Sequence, residues 1–285
     1  MTASERTKNV ASKGSKNYKA LAKQRMHRPS QLKRMPRFLI YSRNKKGKTT
    51  FGTSAGVEKT LVLDPEHGTD EMKAKDPHVW PIERWEDMDD AYEFLRHVNE
   101  CQICDVPHPF EWVCVDGLTK MANIALKYVM RVEEEKSLTR TPGMVQQRDY
   151  GKSGELMKEM LNKYHNLPLG IIFTAQERQV EAADSEEDED FEDIAASYVP
   201  DLPKGVRGPA NAIVDVIGRL YVVKVESEDP EKPGRKERRL WVGDSARYDT
   251  GYRSDFVLPD IIKNPTIPKL VSLMRTGTIP TKKKK

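Results

Sequence analysis

A glycine, a lysine and two threonines follow a short apolar segment near residue 40. Residues 38–41 are predicted to form a buried strand, and the basic turn after them ends in Gly47-Lys48-Thr49. In a phosphate-binding loop, the backbone N–H groups of such a turn surround an anion. The lysine reaches the β- and γ-phosphates, and the threonine hydroxyl holds Mg²⁺. The predicted phosphate-contacting residues are Ser42, Asn44, Lys45, Lys46, Gly47, Lys48, Thr49 and Thr50.

One position departs from the Walker A pattern G-x-x-x-x-G-K-[ST]. Ser42 stands where the pattern has its first glycine. That glycine serves a tight turn, and serine adopts most turn geometries at a modest cost. We therefore expect the departure to affect nucleotide binding and turnover, and not the presence of the loop.

Three further polar side chains lie just after predicted strands. Asp116 ends an apolar run at 110–115, where a carboxylate can hold the Mg²⁺ shell. Glu66 follows the strand at 60–64 and could orient the water that attacks a γ-phosphate. Gln176 ends a later apolar run, and its amide could bond the γ-phosphate and change the next loop when that phosphate leaves. Each residue alone could be an ordinary turn residue, so their order along the chain carries the interpretation.

The elements around these residues alternate between strands and helices. This alternation predicts an α/β fold with a mostly parallel central sheet flanked by helices, plus antiparallel strands near the C-terminus. Strands are predicted at 38–41, 60–64, 110–116, 169–175, 219–225 and 238–242, helices at 49–55, 85–99, 118–135, 153–164 and 210–217, and loops at 136–150 and 179–208.

Composition narrows the class of protein. A chain of 285 residues with 37% hydrophobic residues and a mean hydropathy of -0.71 is typical of one sizeable domain and excludes a membrane protein. The N-terminus lacks the apolar region of a secretory signal, and three cysteines are too few for a disulfide framework. We therefore expect a cytoplasmic protein.

Charge is distributed unevenly along the chain. Residues 1–36 are strongly basic, residues 282–285 are all lysine, and acidic residues dominate 181–193. We expect a basic, largely disordered tail at 1–36, a core at 37–262 with an acidic loop within 179–208, and a C-terminal helix with a lysine-rich tail at 263–285. Basic tails suit a nucleic-acid backbone, although a purely solubilising tail would have the same composition.

The phosphate loop, the Asp64-Pro65-Glu66-His67 box, Asp116 and Gln176 follow one another in this order along the chain. With these features, residues 37–260 resemble the RecA-like core of P-loop ATPases with an AAA-type nucleotide-binding domain. The chain is most similar to small phage-encoded RecA-like ATPases of the single-strand annealing and recombination group. The resemblance implies ATP and Mg²⁺ as ligands, Lys48 on the phosphates, and Thr49 and Asp116 on the metal. It also implies Glu66 as the water-activating base, Gln176 as the γ-phosphate sensor, and a bacterial host cytoplasm.

The resemblance also implies single-stranded DNA held by loops at 136–152 and 179–208. The candidate DNA-binding residues are Arg140, Arg148 and Tyr150 in the first loop, and Lys204 and Arg207 in the second. The acidic run at 181–193 would repel DNA, so the second loop could instead be an autoinhibitory DNA mimic, or a docking site for a basic partner or for the protein's own N-terminal tail. Oligomerisation into rings or filaments is implied as well. Arg247 and Arg253 would then be the cations that complete a neighbour's site, or else ordinary surface arginines.

These features predict an ATP-dependent recombination protein that binds single-stranded DNA and promotes annealing or strand exchange, with an ssDNA-binding protein as a further partner. Two alternatives stay open: a DNA motor ATPase, such as a helicase or packaging subunit, and a nucleotide-gated DNA-binding mediator without hydrolysis. A zinc site is a competing reading of His97, Cys101, Cys104 and His108. Their spacing is tighter than in usual zinc fingers, so we expect reduced structural thiols there.

Overall fold

The computed structural model describes residues 18–26, 28, 34–97, 110–137, 139–180, 198–226 and 234–279. Cys101, Cys104, His108, the acidic run at 181–193 and the lysines at 282–285 lie outside the described residues, as does the side chain of His97. The chain divides into two compact units, Met1–Arg34 and Met35–Lys285. In the first unit the described residues form one helix, α1 (Tyr18–Arg25), with largely exposed side chains.

The second unit alternates strands with helices, as the sequence predicts. Its strands are β1 (Arg37–Ser42), β2 (Thr60–Asp64), β3 (His78–Pro81), β4 (Trp112–Asp116), β5 (Gly170–Gln179), β6 (Tyr198–Pro200), β7 (Val216–Val225), β8 (Arg235–Trp241), β9 (Gly251–Tyr252) and β10 (Ile261–Lys263). Its helices are α2 (Lys48–Gly52), α3 (Trp85–His97), α4 (Leu118–Lys136), α5 (Gln147–His165), α6 (Lys204–Ile213) and α7 (Ile267–Thr276).

The strands form one sheet in the order β10-β8-β7-β1-β5-β4-β2-β3. The six strands from β7 to β3 are parallel, whereas β8 runs antiparallel to β7, and β10 antiparallel to β8. β1, β2 and β4 are buried at every position, as expected for parallel strands covered on both faces. The predicted α/β class, with a mostly parallel sheet and C-terminal antiparallel strands, is confirmed.

Helices cover both faces of the sheet and create two apolar cores. One core joins residues of α3, α4, α5 and α6 to the sheet, and the other joins residues of α2 and α7. Since the parallel strands all end at the same edge, their carboxyl ends place the residues that follow them side by side. No helix among the described residues is long and apolar enough to cross a bilayer.

Several predicted boundaries were wrong. α5 begins six residues before the predicted helix at 153–164, because Gln146 and Asp149 form a capping box that starts the helix within the predicted loop. The segment predicted as a loop at 179–208 contains β6 and the first turn of α6, and residues 216–217 begin β7 instead of ending a helix. β3 was not predicted, because this short edge strand is largely exposed and lacks an apolar pattern.

Candidate functional site

The phosphate loop connects β1 to α2, and its left-handed turn lies at Lys45 and Gly47. Gly47 has φ 98° and Lys45 has φ 60°, both in the region that favours glycine. Ser42 lies earlier, within β1, where its backbone pairs with Gln176 of β5. The position that departs from the motif is therefore extended, and its backbone has no need of glycine.

A cavity of about 650 Å³ opens beside this loop. Ser42 and Lys46 are not part of its lining. Ser42 is fully buried, and its hydroxyl donates to the carbonyl of Arg43 at 2.8 Å. The structure therefore does not present the Ser42 side chain to this cavity. The residues that line the cavity are Asn44, Lys45, Gly47, Lys48, Thr49, Thr50, Glu66, Gly68, Glu71, Met72, Asp116, Gln176 and Arg238.

Lys48 is buried at the base of the cavity and points along the end of β1. Its Nζ lies 3.4 Å from the carbonyl oxygen of Ser42 and 3.3 Å from Oε1 of Gln176. Burial lowers the pKa of this lysine below its usual range, although the carboxylates of Asp116, Glu66 and Glu177 act in the opposite direction. A phosphate in the cavity would supply the charge that this desolvated ammonium lacks.

Asp116 lies at the end of β4 and receives two hydroxyl hydrogen bonds. Thr49 Oγ1 donates to its Oδ2, and Thr174 Oγ1 donates to its Oδ1 at 2.7 Å. Burial raises the pKa of this carboxyl, an effect that the two hydroxyl groups partly offset. The two hydrogen bonds thus hold the carboxylate in place. Its burial disfavours the negative charge, and a bound cation would offset that desolvation cost.

The oxygen atoms of Thr49 and Asp116 fit a magnesium ion. Mg²⁺ prefers hard oxygen ligands and usually keeps several waters, so that one or two protein groups and the phosphates hold it. No group of three or more His, Cys, Asp or Glu side chains suited to a metal occurs among the described residues. These described residues therefore do not form a metal site from protein ligands alone. The nucleotide would complete the coordination shell of the Mg²⁺ ion.

Glu66 is held over the cavity by a turn that Asp64 organises. The two carboxylate oxygens of Asp64 accept hydrogen bonds from the backbone N–H groups of Glu66, Gly68 and Thr69 at 2.9 to 3.2 Å. Across the cavity, Gly117 has φ 136°, and a Cβ there would lie 3.1 Å from Cγ of Glu66. Asp64 therefore stabilises the turn, and Glu66 presents its carboxylate to the cavity.

Gln176 links the phosphate loop to this carboxylate. Its Oε1 accepts from Lys48, and its Nε2 donates to Glu66 at 3.3 and 3.4 Å. β5 lies between β1 and β4 in the sheet, which places its end between the lysine and the acid. The structure thus brings together the residues predicted as base, sensor, phosphate ligand and metal ligands in one cavity.

The backbone of Gln176 is also connected to a segment outside the cavity. Its N–H donates to Thr119 Oγ1 at 3.0 Å, and Thr119 Oγ1 donates to the carbonyl of Asp201 at 2.8 Å. The N–H of Asp201 closes this triangle by donating to the carbonyl of Gln176 at 2.8 Å. Asp201 precedes α6 by only a few residues, so this triangle joins the cavity to the start of α6.

Arg238 on β8 lines the same cavity, and sequence reasoning missed it. It lies in a stretch of mostly basic residues, 235–239, in which no motif distinguishes one position from another. The alternation of side chains along β8 and the place of that strand in the sheet are needed to bring it to the phosphate loop.

The structure corrects one of the predicted DNA contacts. Arg140 is buried, and its guanidinium forms an ion pair with the fully buried carboxylate of Asp149, with Nη1 3.1 Å from Oδ1. The pair ties the loop before α5 to the first turn of that helix. Arg140 is therefore a structural residue and offers no charge to a DNA backbone.

The remaining DNA candidates lie at the beginnings of two neighbouring helices. Arg148 and Tyr150 are exposed in the first turn of α5, and Lys204 is exposed at the start of α6. Arg207 is half-buried, with its Nη1 buried and without a hydrogen-bond partner among the described residues. α5 and α6 pack together there, as shown by the distance of 3.8 Å between Val206 and a Cβ built on Gly154.

The two arginines predicted to act on a neighbouring subunit lie in different places. Arg247 is exposed, and its guanidinium lies 5.7 Å from the ring centre of Tyr198. Arg253 is exposed just after β9, and its N–H donates to Asp215, the residue before β7. Since β7 is parallel to β1, Arg253 lies at the opposite end of the sheet from its own phosphate loop.

A second cavity of about 400 Å³ lies on the other side of the turn that carries Glu66. Pro65, His67, Trp85, Lys127 and Arg131 are among its lining residues. Neither the phosphate loop nor Asp116 borders it, so the cavity beside the phosphate loop is the one suited to a nucleotide.

The family comparison agrees with this geometry. A family model described as an AAA domain matches residues 34–254. No curated protein matches the sequence. Among solved structures, a KaiC-like protein from the hyperthermophilic archaeon Pyrococcus horikoshii is similar over 81% of this chain and 89% of its own, with 11% identity and a TM-score of 0.39. At that level the likeness says nothing about activity.

Proposed function

Because the chain belongs to the AAA domain family and is a P-loop ATPase, we propose that it uses ATP to control its hold on single-stranded DNA. In this role it promotes strand annealing or exchange, as in the phage-encoded RecA-like group that its sequence resembles. The triangle of hydrogen bonds from Gln176 through Thr119 to Asp201 is the observation that carries the proposal. It gives the nucleotide a direct route to the helix that bears two of the DNA candidates.

The cavity supports hydrolysis by a division of labour among residues of the same chain. The backbone N–H groups of the turn and the ammonium of Lys48 bind the phosphates. Thr49 and Asp116 would hold Mg²⁺, which supplies charge neutralisation on the phosphates when it is bound. Glu66 orients a water molecule and accepts its proton, since its carboxylate is held over the cavity and already accepts a hydrogen bond from Gln176.

Gln176 is suited to report whether the γ-phosphate is present. Its amide bridges Lys48 and Glu66. A γ-phosphate would compete for the same ammonium and the same amide, so the glutamine must change partners. Because its backbone is bonded to Thr119 and Asp201, that change bears on the start of α6.

The proposed DNA surface consists of Arg148, Tyr150, Lys204 and Arg207. Together they offer cations for a phosphate backbone and an aromatic ring for a base, which is the combination used for sequence-tolerant single-strand binding. The ring of Tyr150 is 60% exposed, so a base could stack on it without moving other side chains.

An oligomer completes the proposal. Arg253 is far from the phosphate loop of its own chain along the strand direction, so it could act on a nucleotide only in a neighbour. Arg247 has an exposed guanidinium and is the second candidate. Either arginine would add a cation beside the phosphates held by the neighbouring subunit, at a position that the residues of that subunit's own cavity do not occupy.

The first experiment measures ATP hydrolysis with and without single-stranded DNA, in the wild type, Lys48→Ala and Glu66→Gln. We expect DNA-stimulated hydrolysis in the wild type and its loss in both variants. A Thr119→Val variant removes the hydroxyl at the centre of the triangle. It should keep basal hydrolysis and lose the stimulation by DNA, because the connection to Asp201 is broken.

The second experiment locates DNA by the salt dependence of its binding. Arg148→Ala should lower the slope of log K against log salt by about 0.7, the change expected for one phosphate contact on a single strand. Lys158→Ala is the matched control, because it removes the same charge from the same helix nearly three turns later. Equal slopes in the wild type and both variants would exclude this surface.

Strand annealing and translocation assays then separate the alternatives. Annealing that needs ATP, without directional movement, supports the proposal. Directional translocation supports a motor instead. Nucleotide binding without turnover would indicate a mediator, and a wild type without DNA binding would rule out the DNA proposal while leaving the ATPase in place.

A further inference from the structure

Arg238 lies across the phosphate loop, and its side chain has no partner among the residues that the structure describes. A Cβ placed on Gly47 would be 2.5 Å from Nε of Arg238, so the guanidinium lies directly against the loop. Its side chain makes no hydrogen bond or ion pair within the described part of the chain. Such a partnerless arginine, in contact with a phosphate loop, needs an explanation.

The neighbouring arginines of the same hairpin are all neutralised. Arg219 on β7 forms two hydrogen bonds with Glu177, at 2.5 and 3.3 Å. Arg239, next to Arg238 on β8, donates to Glu237 at 2.8 Å. Side chains alternate across a strand, so Arg239 and Glu237 share one face of the sheet while Arg238 points to the other. On that other face, no carboxylate of the described residues pairs with Arg238.

The surroundings of Arg238 are positive as well. With Lys45, Lys46, Lys224 and Lys236 it lines a groove of about 440 Å³ beside the nucleotide cavity, and none of the described residues that line the groove is acidic. Lys224 and Lys236 stand directly opposite each other on β7 and β8, an arrangement that destabilises a sheet. This concentration of like charge is unfavourable until an anion enters.

The backbone holds Arg238 firmly in this position. β8 is paired on one side with β7, where Val222 is the partner of Arg238, and on the other side with β10. The carbonyl of Arg238 also accepts a hydrogen bond from Asn264 at 2.7 Å. The backbone of Arg238 is therefore held by a strand inside the sheet.

We propose that Arg238 binds the phosphate chain of a nucleotide held by its own subunit and favours nucleotides with more phosphates. The proposal deepens the function proposed above and rests on it. A planar guanidinium can give two parallel hydrogen bonds to phosphate oxygens, which an ammonium cannot. Its gain grows with the negative charge of the chain, so ATP should benefit more than ADP, and ADP more than AMP.

The test compares Arg238→Ala and Arg238→Lys with the wild type in binding fluorescent ATP, ADP and AMP analogues. We expect ATP to bind about 10- to 100-fold more weakly to Arg238→Ala, the loss of a charge-assisted contact. The loss should be smaller for ADP and absent for AMP, and Arg238→Lys should recover only part of it. Arg235→Ala is the matched control, since it removes an exposed arginine from the same strand and the opposite face.

Mixing experiments decide whether the contact lies within one subunit. Protomers with Arg238→Ala keep an intact phosphate loop, and protomers with Lys48→Ala keep Arg238. If Arg238 serves its own subunit, mixed oligomers hydrolyse no more ATP than the sum of the two variants. Recovery of activity on mixing would overturn the assignment to the same subunit.

The remaining outcomes separate this inference from the proposed function. A wild type that binds ATP, together with an Arg238→Ala variant that binds it equally well, overturns the inference alone. Equal losses for ATP, ADP and AMP also overturn it, because they indicate damage to the loop and not a phosphate contact. A wild type that binds no ATP overturns both.

Discussion

The parallel part of the sheet and the antiparallel hairpin of β7 and β8 meet at the same cavity but are built differently. In the parallel part, the polar side chains bond each other: Lys48 to Gln176, Gln176 to Glu66, and Thr49 to Asp116. On the hairpin, the side chain of Arg238 reaches the cavity with no partner among the described residues. The side chains of the first region hold one another in place, whereas the second region contributes a charge that is available to a ligand.

This difference has consequences for mutation. In a network, each side chain positions the next, so a change in one is felt by its neighbours. A partnerless side chain can be removed without leaving another group unsatisfied, so its loss should affect binding and not folding. The predictions below test this contrast, beginning with the network.

Replacing Glu66 by glutamine should have the largest effect. The amide keeps the size of the side chain and can still bond Gln176, but it cannot accept a proton from water. We expect kcat to fall by about 10²- to 10⁴-fold with ATP affinity nearly unchanged, the usual contribution of a general base. Steady-state hydrolysis and a binding titration measure the two quantities.

Glu71→Gln is the control for that change. Glu71 also lines the cavity and lies on the same side of it, but it is exposed and is bonded to none of the network residues. Its amide variant should keep kcat within about twofold, as surface changes usually do. A Glu66→Gln enzyme that turns over as fast as Glu71→Gln would exclude Glu66 as the base.

Asp116→Asn should separate activity from stability. Hydrolysis should fall by about 10²-fold or more because the metal loses its charged ligand. Without ligand, however, the variant should be at least as stable as the wild type, because the amide can still pair with Thr49 and Thr174. Burial raises the pKa of Asp116 above its ordinary value of 3.8, so the folded state favours the neutral form.

The sign of the pH dependence follows from that raised pKa. Below pH 3.8 the carboxyl is protonated in both the folded and the unfolded state, and the two proteins should be equally stable. As pH rises through the folded-state pKa, ionising Asp116 costs stability in the wild type alone. Thermal unfolding between pH 3 and 8 should show the variant gaining relative to the wild type, and a constant difference would contradict this account.

Much of the network could be predicted from the sequence for a physical reason. Asp116, Glu66 and Gln176 each follow a buried apolar strand, and parallel strands end at one edge, so a linear pattern places them together. The position of Arg238 depends instead on side-chain alternation and on the pairing of β8 with β7, which no local pattern specifies. Arg140 looked identical to a DNA-binding arginine, because nothing in the sequence shows that Asp149 lies buried against it.

Gly47→Ala changes the point where the two regions touch. The new Cβ would strain a residue at φ 98° and press on Arg238. We expect ATP to bind about 10-fold more weakly, because an alanine in the left-handed conformation is strained by about 1 to 2 kcal/mol. The free loop would relax out of this conformation, and nucleotide binding would have to restore it. If part of the loss comes from displacing Arg238, the double variant with Arg238→Ala should lose less than the sum of the two single losses. Strictly additive losses would indicate that the arginine lies away from the bound phosphates.

Lys48 should take up a proton when a nucleotide binds. Burial lowers its pKa in the free protein below the ordinary value of 10.5, and a phosphate should raise it again. Between those two values, binding converts neutral lysine to ammonium. Calorimetry in buffers of different ionisation enthalpy should detect a fraction of a proton taken up, with affinity weakening as pH rises. Proton release over this range would contradict the burial of the ammonium.

The smallest effect is expected at Lys45, where a lysine occupies a conformation suited to glycine. Its φ of 60° costs a side chain about 1 kcal/mol or more, and glycine would remove that cost while adding freedom to the unfolded chain. Lys45→Gly should therefore raise the free energy of unfolding by about 0.5 kcal/mol, the balance of the two terms. Lys46→Gly removes the same charge from the next residue, which lacks a positive φ, and should lower that free energy instead. Both variants remove one cation from the groove that contains Arg238. Opposite changes in the free energy of unfolding would therefore show that the effect at Lys45 comes from its backbone conformation and not from the loss of its charge.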